Sequence, residues 1–528
     1  MPERRARLDP GSTQLLACVS LAAVLTAGWL LAPPMGTDLA AQIRRADFFD
    51  AHGLTPVDLS WYGGVSPLGY SLLSPPLMAA FGGGLWGARW VGALSAVASA
   101  GLAAVLLRRA DAARPLVAGL VAAVCVVGNL ASGRITFALG MALALAALLA
   151  ATGSRRPLAL TTLAAAGATA ASPVAGLFLA LAGGAWGLAR LWERRSMVAA
   201  LTVAAPLCLP PLLVMTTSAW LFGDGGAQPF GAQSLLVAVA TCVVVALAVG
   251  PRRPTLLVGA ALATVLLVLA YLVPSPIGSN ALRLPMLWAA PLIVGFGRWP
   301  TIPLALVVAL VVWWQPPVVV GDLARAGDPP HHRAYYAGLA AELRRLPPGR
   351  VEAVPLKDHG ESTQLGLDIQ LARGWQRQLD VGENPLFYRP GLNPDTYRRW
   401  LAERAVTYVA LADADPDQWA VAEAAVIRQG VPYLAEVWRD DRWRLLRVAE
   451  PTAVVAAPAA LRRLDAASVA FEVEGPAVVT VNVRASRWLR LSGPGCLRVD
   501  GDRVRVDAGR AGAYTMTSSL WSPGPWCQ

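Results

Sequence analysis

Lysine is almost missing from this chain: of 45 basic residues all but Lys357 are arginine, so the formal charge of +11 is an arginine charge. Charge of either sign is also scarce, at 15% of residues against roughly 25% in soluble domains. That scarcity, with 55% hydrophobic residues, excludes disordered, collagenous and coiled-coil classes and leaves a polytopic membrane protein. Histidine occurs only at 52, 331, 332 and 359, without metal-ligand spacing, so no zinc site is expected. No P-loop, dinucleotide fingerprint, nucleophile elbow or fixed-period repeat is present. The arginines are scattered between apolar runs and form no concentrated basic patch, which excludes nucleic acid as a partner. Finally, Asp, Glu, His and Lys are missing from the middle of every apolar run, which argues against an ion-coupled carrier, since such carriers need ionisable groups at mid-membrane.

What is present is a series of eleven runs long enough to enter about 30 Å of hydrocarbon, at 13–33, 86–107, 115–131, 136–152, 157–171, 174–190, 197–221, 233–250, 255–273, 284–297 and 301–316. The pair divided by Ser172 and Pro173 reads as either a broken helix or a hairpin. The first run follows Arg4, Arg5 and Arg7 without a small-residue cleavage site, and is expected to stay as an anchor. If the runs alternate, those arginines fall on one side with Arg108, Arg109, Arg114, Arg155, Arg156, Arg190, Arg194, Arg195, Arg252, Arg253 and Arg298, a side the positive-inside rule makes cytoplasmic. The expected organisation is a plasma-membrane domain over 1–316 whose first outer loop is 34–85, an extracytoplasmic α/β module over 317–450 and an extracytoplasmic β-sandwich over 451–528.

Nine acids precede residue 316, and four of them, Asp38, Asp47, Asp50 and Asp58, lie in that first outer loop. Chemistry is therefore expected at the outer face. The loop opens Gly36-Thr37-Asp38, continues with Leu39, Ile43, Ala46 and Phe49 at helical spacing, and then turns through His52 and the run Trp61-Tyr62-Gly63-Gly64. The helical part reads as an amphipathic helix in the membrane interface, with Asp38 either its N-cap or a functional carboxylate. The aromatic run is open to a similar choice between an interfacial belt and a binding element.

The first span, the long outer loop opening Gly-Thr-Asp, and an apolar body ending in an outer domain together resemble the GT-C class of integral-membrane glycosyltransferases, in particular its arabinofuranosyltransferase-like branch. Gly133-Arg134-Ile135-Thr136-Phe137 and Ile277-Gly278-Ser279-Asn280-Ala281-Leu282-Arg283 extend the resemblance over the membrane half. It implies an acid in the first outer loop as general base, a polyprenyl-phosphate sugar donor and a cell-envelope glycan acceptor. Asp38 is the expected base. Many members carry two acids adjacent or one apart, whereas here the next acid is Asp47, which becomes the second candidate, with Asp50 or the tail as further sources. With no close acid pair, no divalent metal or other cofactor is expected.

Arginine holds phosphate through charge-assisted, often bidentate bonds. Arg44, Arg45, Arg89, Arg134 and Arg283 are the outer-side arginines, and Arg134 and Arg283, each at a short turn between spans, are preferred, with Asn280 beside the latter. Substrate contacts are expected from His52, Trp61 and Tyr62, and from His359, Glu361, Arg373 and Trp375 in an aperiodic, aromatic-rich stretch of the tail that reads as a lid. A transporter or flippase, and an envelope scaffold whose tail binds a polymer or partner, are the competing readings.

Cys18, Cys125, Cys208 and Cys242 sit inside apolar runs, leaving Cys496 and Cys527 as the isolated pair in the tail. In an oxidising compartment such a pair forms a disulfide; two free thiols would require the inverted orientation. Thiol labelling of intact cells distinguishes the two. The expected outcome is no labelling of either tail cysteine before reduction, and labelling by membrane-impermeant reagents after reduction and unfolding of the tail. Labelling without reduction rules out the pair, and protection after that treatment inverts the topology.

Overall fold

A computed structural model describes residues 10–153, 157–223, 225–522 and 524–527. Arg4, Arg5, Arg7, Arg155 and Arg156, which the topology expectation used, lie outside the described residues. The chain divides into two compact units, the first made of Met1–Leu39, Ser71–Leu221 and Ala227–Ala326, the second of Ala40–Tyr70, Phe222–Gly226 and Gly327–Gln528. The expected boundaries change in two ways: the membrane unit extends ten residues past 316, and most of the first outer loop belongs to the tail unit.

Each expected apolar run forms a helix: Pro10–Leu31, Gly84–Arg109, Pro115–Ala131, Ile135–Thr152, Leu158–Ala171, Pro173–Trp192, Met197–Phe222, Ala232–Val249, Pro254–Leu272, Arg283–Phe296 and Thr301–Trp314. Among the described residues seven helices are long and apolar enough to cross a membrane, and further shorter apolar helices accompany them. Proline opens the helices at Pro115, Pro173 and Pro254, where its missing N–H would have no helical partner in any case. Ser172 is extended (φ −153°, ψ 112°), so the divided pair is two helices joined at one residue.

In hydrocarbon no water drives helices together, and close backbone approach at small residues takes over. Thus a Cβ on Gly119 would lie 2.6 Å from Cys18 Sγ, and one on Gly176 would lie 2.1 Å from Thr169 Oγ1. The outward side chains, such as Leu209, Leu213, Leu236, Leu272 and Ile302, are exposed and apolar, as lipid-facing positions must be. Arginines satisfy carbonyls at the helix ends: Arg114 donates to Gly297 O and Trp299 O, Arg253 to Ala110 O and Asp111 O, and Arg109 to Leu149 O.

The second unit holds two modules. Strands β1 (Arg350–Ala353), β2 (Val406–Ala412), β3 (Leu434–Arg439) and β4 (Trp443–Val448) form a sheet of order β1-β2-β4-β3, parallel only between β1 and β2. The helices Arg333–Arg345, Pro394–Glu403 and Val421–Arg428 accompany it, the second opened by a capping box on Asn393. The β-sandwich follows, with β5 (Ala460–Leu464), β6 (Val469–Val473), β7 (Ala477–Arg484), β8 (Leu489–Ser492), β9 (Gly495–Asp500), β10 (Arg503–Ala508) and β11 (Gly512–Ser518) arranged as β7-β10-β9 and β5-β6-β11-β8. Inward residues at every second position, among them Val479, Val481, Val504, Phe471 and Tyr514, make one core. Val57 and Leu59 of the first outer loop join that core, while Trp61, Tyr62 and Val65 join the core of the α/β module. Backbone bonds from Leu59 N to Ala466 O, Leu371 N to Ser60 O and Arg484 N to Gly63 O fasten the loop into the unit.

Arg373 is a buried cation of the α/β module. Its guanidinium bridges the fully buried carboxylates of Glu352 and Glu423, Tyr397 Oη donates to Glu423 at 2.9 Å, and the ring of Phe387 lies 3.8 Å from the guanidinium carbon. Burial pushes both carboxyls above their ordinary values, and Arg373 opposes that shift. Removing the cation strands two buried acids, which typically costs about 3–5 kcal/mol. Arg373→Leu is therefore expected to lower the melting point of this unit by roughly 6–20 °C, at about 2–4 °C per kcal/mol for a unit of this size. Because the stranded acids regain neutrality on protonation, the deficit should shrink as pH falls. Melting curves followed by tryptophan fluorescence at several pH values check both the size and the sign.

Candidate active site

Two glycine turns build the site within the first unit. Gly36 adopts φ +100° and Gly133 φ +72°, conformations that L side chains rarely take, and a Cβ on Gly36 would lie 2.4 Å from Gly133 N. A Cβ on Gly133 would likewise lie 2.3 Å from Leu39 N, so only glycine lets the two backbones cross at this separation. The crossing is closed by the bond from Asp38 N to Ser132 O at 3.3 Å, and it sets Asp38 beside Arg134.

Arg134 Nε lies 3.6 Å from Asp38 Oδ2, and Arg283 Nη2 lies 3.2 Å from the same oxygen. Arg134 precedes the helix Ile135–Thr152, and Arg283 is the first residue of Arg283–Phe296, so each cation stands at a helix entrance. Arg283 also sits 5.3 Å over the ring of Phe137. Asp38 is 28% exposed, against 15% and 12% for the two arginines, so the carboxylate stays reachable while its partners are held. Two guanidinium groups against one carboxylate leave an excess of positive charge, an environment suited to an additional anion. Asn280 is engaged in its own turn, Nδ2 donating to Pro276 O at 3.2 Å three residues before Arg283.

Sequence reasoning missed Asp322. It lies in the short helix Val320–Ala324 past the last apolar run, yet its side chain is fully buried. Its Oδ1 accepts from Thr37 N at 3.3 Å and from Arg325 at 3.1 Å. Burial first, and then the charge of Asp38, raise its carboxyl above the ordinary value. The available signal was an acid set directly among apolar residues, Val318-Val319-Val320-Gly321-Asp322-Leu323.

The remaining expected site residues belong to the second unit or to other contacts. Residues Leu39 to Ala46 are buried on every side, so the expected one-sided interfacial helix is instead an enclosed one. Within it Arg44 lies 3.9 Å from Asp58, with the charge of Asp47 also acting on it, and Arg45 stacks 3.6 Å over Tyr70. Arg89 caps the first helix through Leu30 O and Ala32 O. His52 ends its helix against Phe48, with its carbonyl accepting from Thr55.

Trp61, Tyr62, His359, Glu361 and Trp375 form one neighbourhood in the second unit. Trp61 Nε1 donates to Ser362 O at 3.1 Å, Tyr62 Oη to Gly374 O at 2.8 Å, and His359 stacks on Trp375 with ring centroids 3.3 Å apart. His359 faces Glu361 and Asp417 at 3.5 and 3.7 Å. Arg373 serves the buried carboxylate pair described above. Cys496 and Cys527 are joined in a disulfide.

No protein-family model matches the sequence, and no curated protein does. Among solved structures the chain is similar to the arabinofuranosyltransferase AftD from mycobacteria, at 18% identity and a TM-score of 0.47 over 91% of this chain. The matched part spans 41% of the AftD chain. It is also similar to ArnT from Cupriavidus metallidurans bound to undecaprenyl phosphate, at 14% identity and a TM-score of 0.41, covering 84% of this chain and 99% of that one.

The glycine crossing carries its own prediction. Gly133→Val drives a branched side chain into the Leu39 backbone and is expected to cost about 1–3 kcal/mol through overpacking. Gly28→Ala is the control, because nothing lies within 4 Å of a Cβ there. Thermal unfolding of the two purified variants should show a lowered midpoint for the first and an unchanged or raised one for the second.

Proposed function

We propose that this protein is a membrane glycosyltransferase that moves a sugar from a polyprenyl-phosphate donor to a glycan or lipid acceptor of the cell envelope, with Asp38 as the general base. The observation that carries this reading is the convergence of Arg134 and Arg283, each at the entrance of an apolar helix, on the partly exposed carboxylate of Asp38. A lipid-linked phosphate needs that combination: cations for its head, and an apolar wall for its tail.

The chemistry is a single displacement. The acceptor hydroxyl oxygen bonds to the anomeric carbon as its proton passes to Asp38, and the bond from that carbon to the phosphate oxygen breaks with its electron pair leaving on the polyprenyl phosphate. Arg134 and Arg283 neutralise the charge that grows on the departing phosphate. Site and tail are assigned to the extracytoplasmic face. Arg134 follows the end of the helix Pro115–Ala131 opposite to Arg114, on the side poor in arginine. The disulfide in the second unit suits an oxidising compartment.

The test is transfer from a radiolabelled polyprenyl-phosphate sugar by the purified protein. Asp38→Asn is expected to lose about 10²- to 10⁴-fold in turnover, while donor binding holds or tightens because the competing carboxylate charge is gone. Arg283→Ala is expected to weaken donor binding by roughly 10- to 100-fold, the loss of one charge-assisted contact. Wild-type turnover in the Asn variant discards Asp38 as the base, and donor affinity unchanged in Arg283→Ala and Arg134→Ala discards the phosphate site.

A further inference from the structure

Asp322 has no part in the reaction as written, and yet its buried carboxylate lies near enough for the charges of Asp38 and Arg134 to act on it. The helix that carries it is inverted relative to an ordinary surface helix: Val320 and Leu323 are 61% and 46% exposed, whereas the aspartate is 1% exposed. An arrangement with apolar residues outward and a carboxylate inward suits a helix lying against lipid, and it places a costly group in the interior. Such a group needs compensation inside. It receives the Thr37 amide and the Arg325 guanidinium on Oδ1, and Arg134 attracts it through space. The adjoining residue Val319 donates its amide to Ser132 Oγ at 3.2 Å, so the segment after the last span is tied both to the Gly36–Asp38 turn and to the turn that carries Arg134.

We infer that Asp322 is the positioning residue of the site: by accepting the Thr37 amide it holds the turn that aims the Asp38 carboxylate, fastening the first outer loop to the segment that follows the last span. This deepens the proposed function and rests on it for its kinetic consequence. Asp322 touches neither donor nor acceptor. Its effect reaches the reaction through the backbone of the residue before the base, where a displacement of about 1 Å can cost on the order of 10²-fold in rate.

The experiment uses the purified full-length protein with Asp322→Ala, which removes the acceptor, and Asp322→Asn, which keeps a carbonyl oxygen in its place. In the transfer assay Asp322→Ala is expected to lower kcat about 10- to 100-fold with the donor KM within about twofold, and Asp322→Asn to recover most of the loss. Combined with Asp38→Asn, the Ala substitution should add no further loss, since there is no base left to aim. Hydrogen–deuterium exchange over residues 33–40 gives a readout independent of turnover: faster exchange at Thr37 in Asp322→Ala, with Asp322→Asn close to wild type. A raised KM at unchanged kcat, a multiplicative loss in the double variant, or unchanged exchange in Asp322→Ala overturns the assignment. If the wild-type protein transfers no sugar while exchange responds as expected, the proposed function fails and the anchoring role of Asp322 stands.

Discussion

The bond between Asp38 and the guanidinium of Arg283 joins residues 245 positions apart in the chain. Arg283 opens an apolar helix and Asp38 lies in the turn after the first one, because a charge in the middle of hydrocarbon is expensive and finds no water to offset it. The same constraint explains why the carboxylate is exposed enough to meet a ligand yet never solitary. It also explains the glycines: the two turns must cross almost backbone on backbone for Arg134 to reach the same oxygen as Arg283, and a Cβ on either glycine would separate them.

Much of the rest of the first unit serves to keep that geometry rigid, with small residues at the contacts between its helices. Helices meet through glycine and alanine, so their relative positions are set by contact of backbones rather than by long adaptable side chains. At the helix ends the frayed carbonyls are taken up by arginine, as Arg89 does for Leu30 and Ala32 and Arg114 does for Gly297 and Trp299. The guanidinium can reach two carbonyls at once, which a lysine cannot do in the same fixed fork. A chain with one lysine among its 45 basic residues is therefore well supplied for capping helices that end near a membrane surface.

The helices were legible because hydrocarbon imposes a length and a composition that a sequence shows directly, and every expected run became one. Arg134 and Arg283 were legible for a related reason, as cations on the side otherwise poor in them. Three features were not. The helix from Leu39 to His52 has the spacing of an amphipathic surface helix, but its arginines are satisfied internally by Asp58 and Tyr70, so periodicity gave a face where the fold gives enclosure. The return of the first outer loop into the tail unit, where Val57 and Leu59 join the β-sandwich core, is a long-range partnership that no local periodicity shows. Asp322 was assigned to the tail because hydropathy ends a membrane domain where the last apolar run ends. Only tertiary closure shows that the next few residues return to the site.

On the proposed reading, the two arginines of the site link the arrival of a donor to the freedom of the Asp38 carboxylate. In the structure a single Asp38 oxygen faces both Arg283 and Arg134. A phosphate carries more charge and more acceptor oxygens than a carboxylate and matches the guanidinium fork at least as well. On the proposed reading, a bound donor therefore draws the arginines toward its phosphate and relaxes their hold on Asp38. On that reading an acceptor hydroxyl reaching an empty site meets a carboxylate still engaged by arginine, and one that arrives after the donor meets a carboxylate oxygen free to accept its hydrogen bond. The turn must hold its position while those bonds are exchanged, which requires an anchor on the backbone that the exchange does not touch. The Thr37 amide is such a point.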